Sequence, residues 1–209
     1  MNTNYFALLI TLLLMPLAAL NAAEPLPILV VPVRVHLVQS ATQPKLHTTL
    51  TEADVQRIFG KVNRIWSQAG IRFEIESVRK TQAPDLPPDS KLKRERDRVK
   101  AAIPKESLSS TAIDVCYVKE VQPNGFYYGE PVVVKDTAKL TEVAGGMDEP
   151  IPRVTAHELG HALGLKHRQD TTNLMASHTS GFSLNEGEIQ IARSRAKTFQ
   201  KQKPMDSGH

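Results

Sequence analysis

The chain has 209 residues, 41% of them hydrophobic and 23% charged, with a formal net charge of +4. Those values describe a globular protein and exclude a disordered tail, a collagen-like fibre and a multi-span membrane protein. Cys116 is the only cysteine, which excludes an internal disulfide scaffold. Nucleic acid is not an expected partner. Aromatics make up only 5%, and the basic residues gather in two polar stretches, 79–100 and 193–203, that read as solvated faces rather than one binding patch.

In chain order, residues 5–20 are uncharged and rich in Leu, Ile, Ala and Met, too short for a span of roughly 20 residues. Small residues follow, Asn21-Ala22-Ala23, and then Glu24-Pro25. Residues 1–23 therefore read as a signal peptide cleaved after Ala22 or Ala23, although Lys and Arg are missing from its start. An uncleaved anchor or a buried N-terminal helix is the alternative. The expectation is a secreted or periplasmic protein with no stable membrane insertion after cleavage. Residues 24–209 then form a single domain, with an upper part to about residue 164 and a lower part from 165.

Residues 28–38 predict a strand whose Val31, Val33, Val35 and Leu37 face a core while Arg34 and His36 face away. Residues 51–70 predict a helix. Val55, Ile58, Phe59, Val62, Ile65 and Trp66 form one stripe, Thr51 with Asp54 resembles a capping box, and Gly70 is a stop. Residues 71–78 alternate as a second strand, so this strand–helix–strand run implies a parallel pair. Residues 83–89 are a loop and 90–103 an exposed charged helix. Further strands are expected at 112–118, 125–129 and 131–135. Helices follow from Ile151 or Pro152 and over residues 183–199. Cys116 falls in an apolar strand, where a buried inert thiol is expected.

The chemistry is concentrated in residues 157–167, HELGHALGLKH. On a helix, His157 and His161 are stacked one turn apart on the same face, where one cation can reach both. Ala156, Leu159 and Leu163 anchor the opposite face. Gly164 permits a left-handed stop, and the turn brings His167 back to the same cation. Three neutral imidazoles and an open position describe a catalytic zinc site with one ion. Glu158 lies about 100° round from His157, beside the ion rather than on it, where it can take a proton from a bound water. From the chain's own residue frequencies, this pattern arises by chance at a level on the order of 10⁻⁵.

The long motif resembles the signature of the metzincin zinc metallopeptidases. Met175, in Thr172-Asn173-Leu174-Met175-Ala176, is similar to the methionine of their Met-turn, and the short step from His167 is most similar to matrixin-like members of bacterial type. The resemblance implies an α+β fold: a twisted, mixed five-stranded sheet with an antiparallel edge strand, two long helices and a small C-terminal subdomain carrying a helix. It implies that Met175 forms a hydrophobic floor beneath His157, His161 and His167. It implies an endopeptidase whose protein or peptide substrate binds in extended form along the edge strand, with Gly125, Phe126 and Tyr127 as contacts, and whose specificity pocket is walled by residues 177–181, Ser177 among them. A plain hairpin at 125–135 remains the alternative for those edge residues.

The chain departs from the family pattern in several places. Arg168 follows the third histidine, and Ser177 stands where some relatives carry an oxyanion-stabilising tyrosine. No cysteine-switch propeptide and no calcium loops are expected, and the cysteine-bearing motif of archaemetzincins is not here. His178 reads as a surface or pocket-wall histidine. Two other functions stay open: a non-catalytic zinc-binding module, which Glu158 argues against, and a zinc hydrolase of non-peptide amides. Oligomeric state and substrate preference are not readable.

Overall fold

The computed structural model describes residues 26–85 and 94–200. The leader at 1–23, the first residues of the 90–103 helix and the end of the second basic stretch lie outside the described residues. Five strands form one sheet: β1 (Leu29–Gln39), β2 (Ile71–Gln82), β3 (Ile113–Val118), β4 (Gly125–Tyr127) and β5 (Val132–Lys135), in the order β2-β1-β3-β5-β4. The pairs β1–β2, β1–β3 and β3–β5 are parallel, and only the edge strand β4 runs antiparallel, against β5. The helices are α1 (Glu52–Trp66), α2 (Glu95–Ala101), α3 (Pro150–Ala162) and α4 (Glu186–Gln200). This is the mixed α+β architecture expected from the resemblance.

The α1 helix begins where the predicted capping box sits. Thr51 Oγ1 accepts the Asp54 N–H at 3.2 Å, and Asp54 Oδ2 accepts the Thr51 N–H at 2.9 Å, so two otherwise orphaned donors are satisfied. Its stripe of Val55, Ile58, Phe59, Val62, Ile65 and Trp66 is fully buried against Val31, Val33, Val35 and Leu37 of β1. The helix ends through a short 3₁₀ turn at Gly70, whose φ of 59° suits glycine. A Cβ there would also meet the Arg193 guanidinium at 2.6 Å. That guanidinium holds α4 to the sheet, donating to Ala69 O at 2.7 Å and Pro27 O at 3.0 Å.

The second face of the sheet differs from expectation. His36 was expected on a polar face, yet it is fully buried. A second apolar layer built from Val38, Leu46, Val99, Ile103, Cys116 and Val118 covers that face. The imidazole is satisfied inside it, with Nε2 at 2.9 Å from Asp114 Oδ1 and Nδ1 at 2.9 Å from Thr81 Oγ1. Cys116 is buried as expected, and burial pushes its thiol well up, against reactivity. Some boundaries also move. β2 runs to Gln82 because β1 offers it a parallel partner to Gln39. β4 ends at Tyr127, and α3 starts at Pro150. The last helix starts at Glu186 rather than 183, because Asn185 and Glu188 form a reciprocal cap: Asn185 Oδ1 accepts the Glu188 N–H and Glu188 Oε2 accepts the Asn185 N–H, each at 2.9 Å.

Candidate metal centre and active-site cleft

Helix α3 sets the site. Its inner face carries Ala156 and Leu159, fully buried, and the four-residue rhythm of Arg153, His157 and His161 aligns those three on another face. The helix stops in a Schellman arrangement: Leu165 N–H donates to Gly160 O and Gly164 N–H to His161 O, both at 2.9 Å, with Gly164 at φ 89°. This reversal returns the chain so that His167 faces the helix. The ligand atoms of His157, His161 and His167 lie within 4.8 Å of one another, and no other such group occurs among the described residues.

The three rings converge through their Nε2 atoms. His161 Nε2 is 3.2 Å from His157 Nε2 and 3.1 Å from His167 Nε2. Tetrahedral zinc with bonds of about 2.0–2.1 Å requires nitrogens roughly 3.3 Å apart. The other ring nitrogens fix the tautomers. His157 Nδ1 donates to Leu174 O and His161 Nδ1 to Leu165 O, each at 2.8 Å. Their Nε2 atoms therefore present lone pairs to each other, an arrangement that only a cation relieves. Burial lowers the His157 pKa to about 3, and it lowers that of His161 too, which favours the neutral rings that a cation requires.

Met175 is fully buried directly beside α3. A Cβ at Gly160 would stand 2.6 Å from its sulfur, so the missing side chain is what admits the methionine next to His161. Arg168 N–H donates to Met175 O at 3.0 Å, which ties the segment after His167 to the Met175 turn. Glu158 is 5% exposed, and burial pushes its carboxyl up to about 8, with the charge of Arg153 pulling the other way. On its far side the chain of β4 passes close: a Cβ on Gly125 would be 2.9 Å from Glu158 Cγ.

A cleft of about 470 Å³ opens over these groups. Its lining includes Gly125, Phe126 and Tyr127 from β4, Glu158 and the three histidines, and Ser177 and His178 from the loop opposite. The cleft lining thus includes the three histidines, Glu158, Gly125, Phe126, Tyr127 and Ser177, whereas Met175 is buried outside the lining, against Gly160. His178 is exposed at a left-handed φ of 65°.

Tyr128 and Arg153 are among the cleft residues that were not anticipated. Tyr128, 59% exposed, sits at the rim. Arg153, 2% exposed, lines the floor. Its signal was present in the sequence, since a charged residue four positions before His157 must share the metal-facing side of the helix.

The matrixin family model matches residues 133–201, which include α3, the three histidines and the Met175 turn. No curated protein matches the sequence. Among solved structures, the archaemetzincin of Methanopyrus kandleri is similar at 15% identity and TM-score 0.40, over 82% of this chain and 94% of that one. A chain described as part of a chaperone–substrate complex is similar at 11% identity and TM-score 0.49, over 83% of this chain but 35% of its own length.

Proposed function

We propose that this chain, metzincin-like in fold and matching the matrixin family over residues 133–201, is a zinc-dependent endopeptidase. The observation that carries the reading is the convergence of three histidine Nε2 atoms at the mouth of a cleft, with the buried carboxyl of Glu158 beside them. His157, His161 and His167 would hold the zinc, which would supply Lewis-acid polarisation of a water and of a carbonyl. Glu158 is placed to act as the general base, taking a proton at its carboxylate and passing it to the departing amine. Burial raises its carboxyl to about 8, and a divalent cation held beside it would lower that value. Gly125, Phe126 and Tyr127 form the edge strand of the sheet, along which an extended peptide can pair its backbone. Ser177 stands on the opposite wall.

The test is a pair of substitutions. Glu158→Gln is expected to retain one zinc and lose peptide hydrolysis by roughly 10²–10⁴-fold. His161→Ala is expected to lose the metal itself, read by metal analysis. A Glu158→Gln variant that cleaves as fast as wild type sinks the mechanism.

We propose further that residues 1–23 direct export to a secreted or periplasmic location, a reading supported by their apolar run and small-residue end. No helix among the described residues is long and apolar enough to cross a membrane. N-terminal sequencing of the exported chain is expected to begin at Ala23 or Glu24. A start at Met1 contradicts it.

A further inference from the structure

Arg153 is a buried cation without a carboxylate beside it. Its Nε donates to Gly181 O at 2.9 Å, and Nη2 donates to Ala176 O at 2.7 Å and Asn173 O at 3.3 Å. The remaining nitrogen, Nη1, is 3.3 Å from His157 Nδ1. That ring nitrogen already gives its proton to Leu174 O at the shorter distance of 2.8 Å, so it offers Nη1 no lone pair. Nη1 therefore lies within one imidazole of the metal-binding nitrogens, and that ring nitrogen is its one hydrogen-bond contact among the described residues. No ion pair to Arg153 occurs among the described residues, and a desolvated guanidinium in that state is costly.

The charge balance of the cleft points the same way. Glu158 is the only carboxylate on the lining. Against it stands Arg153, and a divalent ion held by the three histidines would make the floor net positive before any substrate enters. The rim adds two more cations. Arg96 Nη1 donates to Tyr128 Oη at 3.0 Å, with its guanidinium 4.8 Å from the ring centre, and Lys100 Nζ donates to Tyr128 O at 3.0 Å.

We propose that Arg153 is the specificity-determining residue of the cleft and selects a glutamate or aspartate side chain immediately flanking the scissile bond. The acidic side chain enters between α3 and the 173–181 loop and accepts from Nη1 of Arg153. This substrate class rests on the endopeptidase reading, and it goes beyond that reading by naming the residue and the chemistry that choose the cut. A glutamine isostere fills the same space but brings no charge, so a site built around an unpaired guanidinium discriminates against it.

The experiment uses Ala-rich peptides identical except for Glu, Gln or Leu at each position flanking the cleaved bond. With zinc-loaded wild type, kcat/KM for the Glu peptide is expected to exceed that for Gln by at least about tenfold. In parallel, equilibrium binding of the same labelled peptides is measured on zinc-loaded Glu158→Gln, which does not turn them over, and on Glu158→Gln/Arg153→Met. The Glu-over-Gln preference is expected in the first and absent in the second, with both retaining zinc. Should the Arg153→Met change prevent folding, the wild-type and Glu158→Gln ratios still decide. Cleavage with Gln or Leu equal to Glu overturns the proposal and leaves the endopeptidase reading intact. Preferential binding of the Glu peptide with no cleavage by wild type sustains the acid-selecting cleft and overturns the endopeptidase reading. Neither binding preference nor cleavage overturns both.

Discussion

Gly125 is the residue whose size is most tightly dictated by the chemistry next to it. A Cβ there would lie 2.9 Å from Glu158 Cγ and Val154 Cγ1 and 3.0 Å from Val133 O. The last contact is backbone of the neighbouring strand, so β4 has no free path of retreat. The first is the stem of the proposed base, which would have to move. Gly125→Ala is therefore expected to lower kcat/KM by roughly tenfold to 10²-fold, the scale of an ångström of misplacement. It should cost about 1–3 kcal/mol of stability from overpacking and leave zinc content unchanged. Steady-state kinetics with metal analysis on the same preparation checks it, and wild-type activity in the variant would show that β4 does not set Glu158. The contrast with the histidines is instructive. His157, His161 and His167 were legible because one helix and one turn fix their geometry locally. The demand on Gly125 comes from a helix some thirty residues downstream. Only its membership of an edge strand was readable.

At the scale of elements, α4 braces the lower wall of the site through one carboxylate. Glu188 Oε2 accepts from Asn173 Nδ2 at 2.8 Å, and Asn173 Oδ1 in turn accepts the Met175 N–H at 2.7 Å. Glu188 Oε1 accepts from Arg168 Nε at 2.7 Å. One side chain thus ties the start of α4 to both the Met175 turn and the residue after His167. Burial pushes the Glu188 carboxyl up, but the hydrogen bonds from Asn185 and Asn173 and the pairing with Arg168 outweigh it, and its pKa is lowered. A carboxyl depressed on folding contributes stability above its unfolded pKa and loses it as pH falls through the folded value. Glu188→Gln is expected to cost about 1.5–3 kcal/mol at neutral pH, towards the lower figure because Arg168 is half exposed and screened. The gap to wild type should close as the pH falls through the depressed titration of this carboxyl, below the ordinary glutamate range. Urea unfolding at a series of pH values measures it, and a gap independent of pH would mean that shape rather than charge matters. The sequence pattern showed the apolar stripe of α1 and the alternation in β1 and β2 because each element reports its own buried face. It misplaced the start of α4, since Leu184 extends the apolar pattern past the Asn185 cap. It also left His36 exposed, since the second core layer that buries it comes from residues far along the chain.

For the whole molecule, the question is what joins the sheet-bearing upper part to the segment after Gly164. The α1 and β1 faces share one continuous apolar core with Leu159, Leu163, Leu174 and Met175, so burial reaches across the boundary. Polar links join the two parts at the site, through the carbonyl bonds of Arg153 to Asn173, Ala176 and Gly181 and the bond from His157 to Leu174, and away from it, through Gln68 to Phe182 and Leu184, Thr141 to His178 and Ser180, and Arg193 to Ala69 and Pro27. A cation held by two histidines of α3 and by His167 beyond the turn would be a further clamp between the same two parts. Binding only to the folded state, zinc at a free concentration about 1,000 times its Kd adds about 4 kcal/mol of stability. Chelation is therefore expected to lower the melting temperature. It should also open residues 166–181 to proteases before the β1–α1 core, because the local links lost lie there and the buried stripe of α1 is untouched. Calorimetry with zinc and with chelator, followed by mapping of the first nicks, reads both effects. Identical melts in the two conditions would mean that the three imidazoles hold no ion that matters to the fold, and a first nick within α1 would place the weak point of the molecule elsewhere.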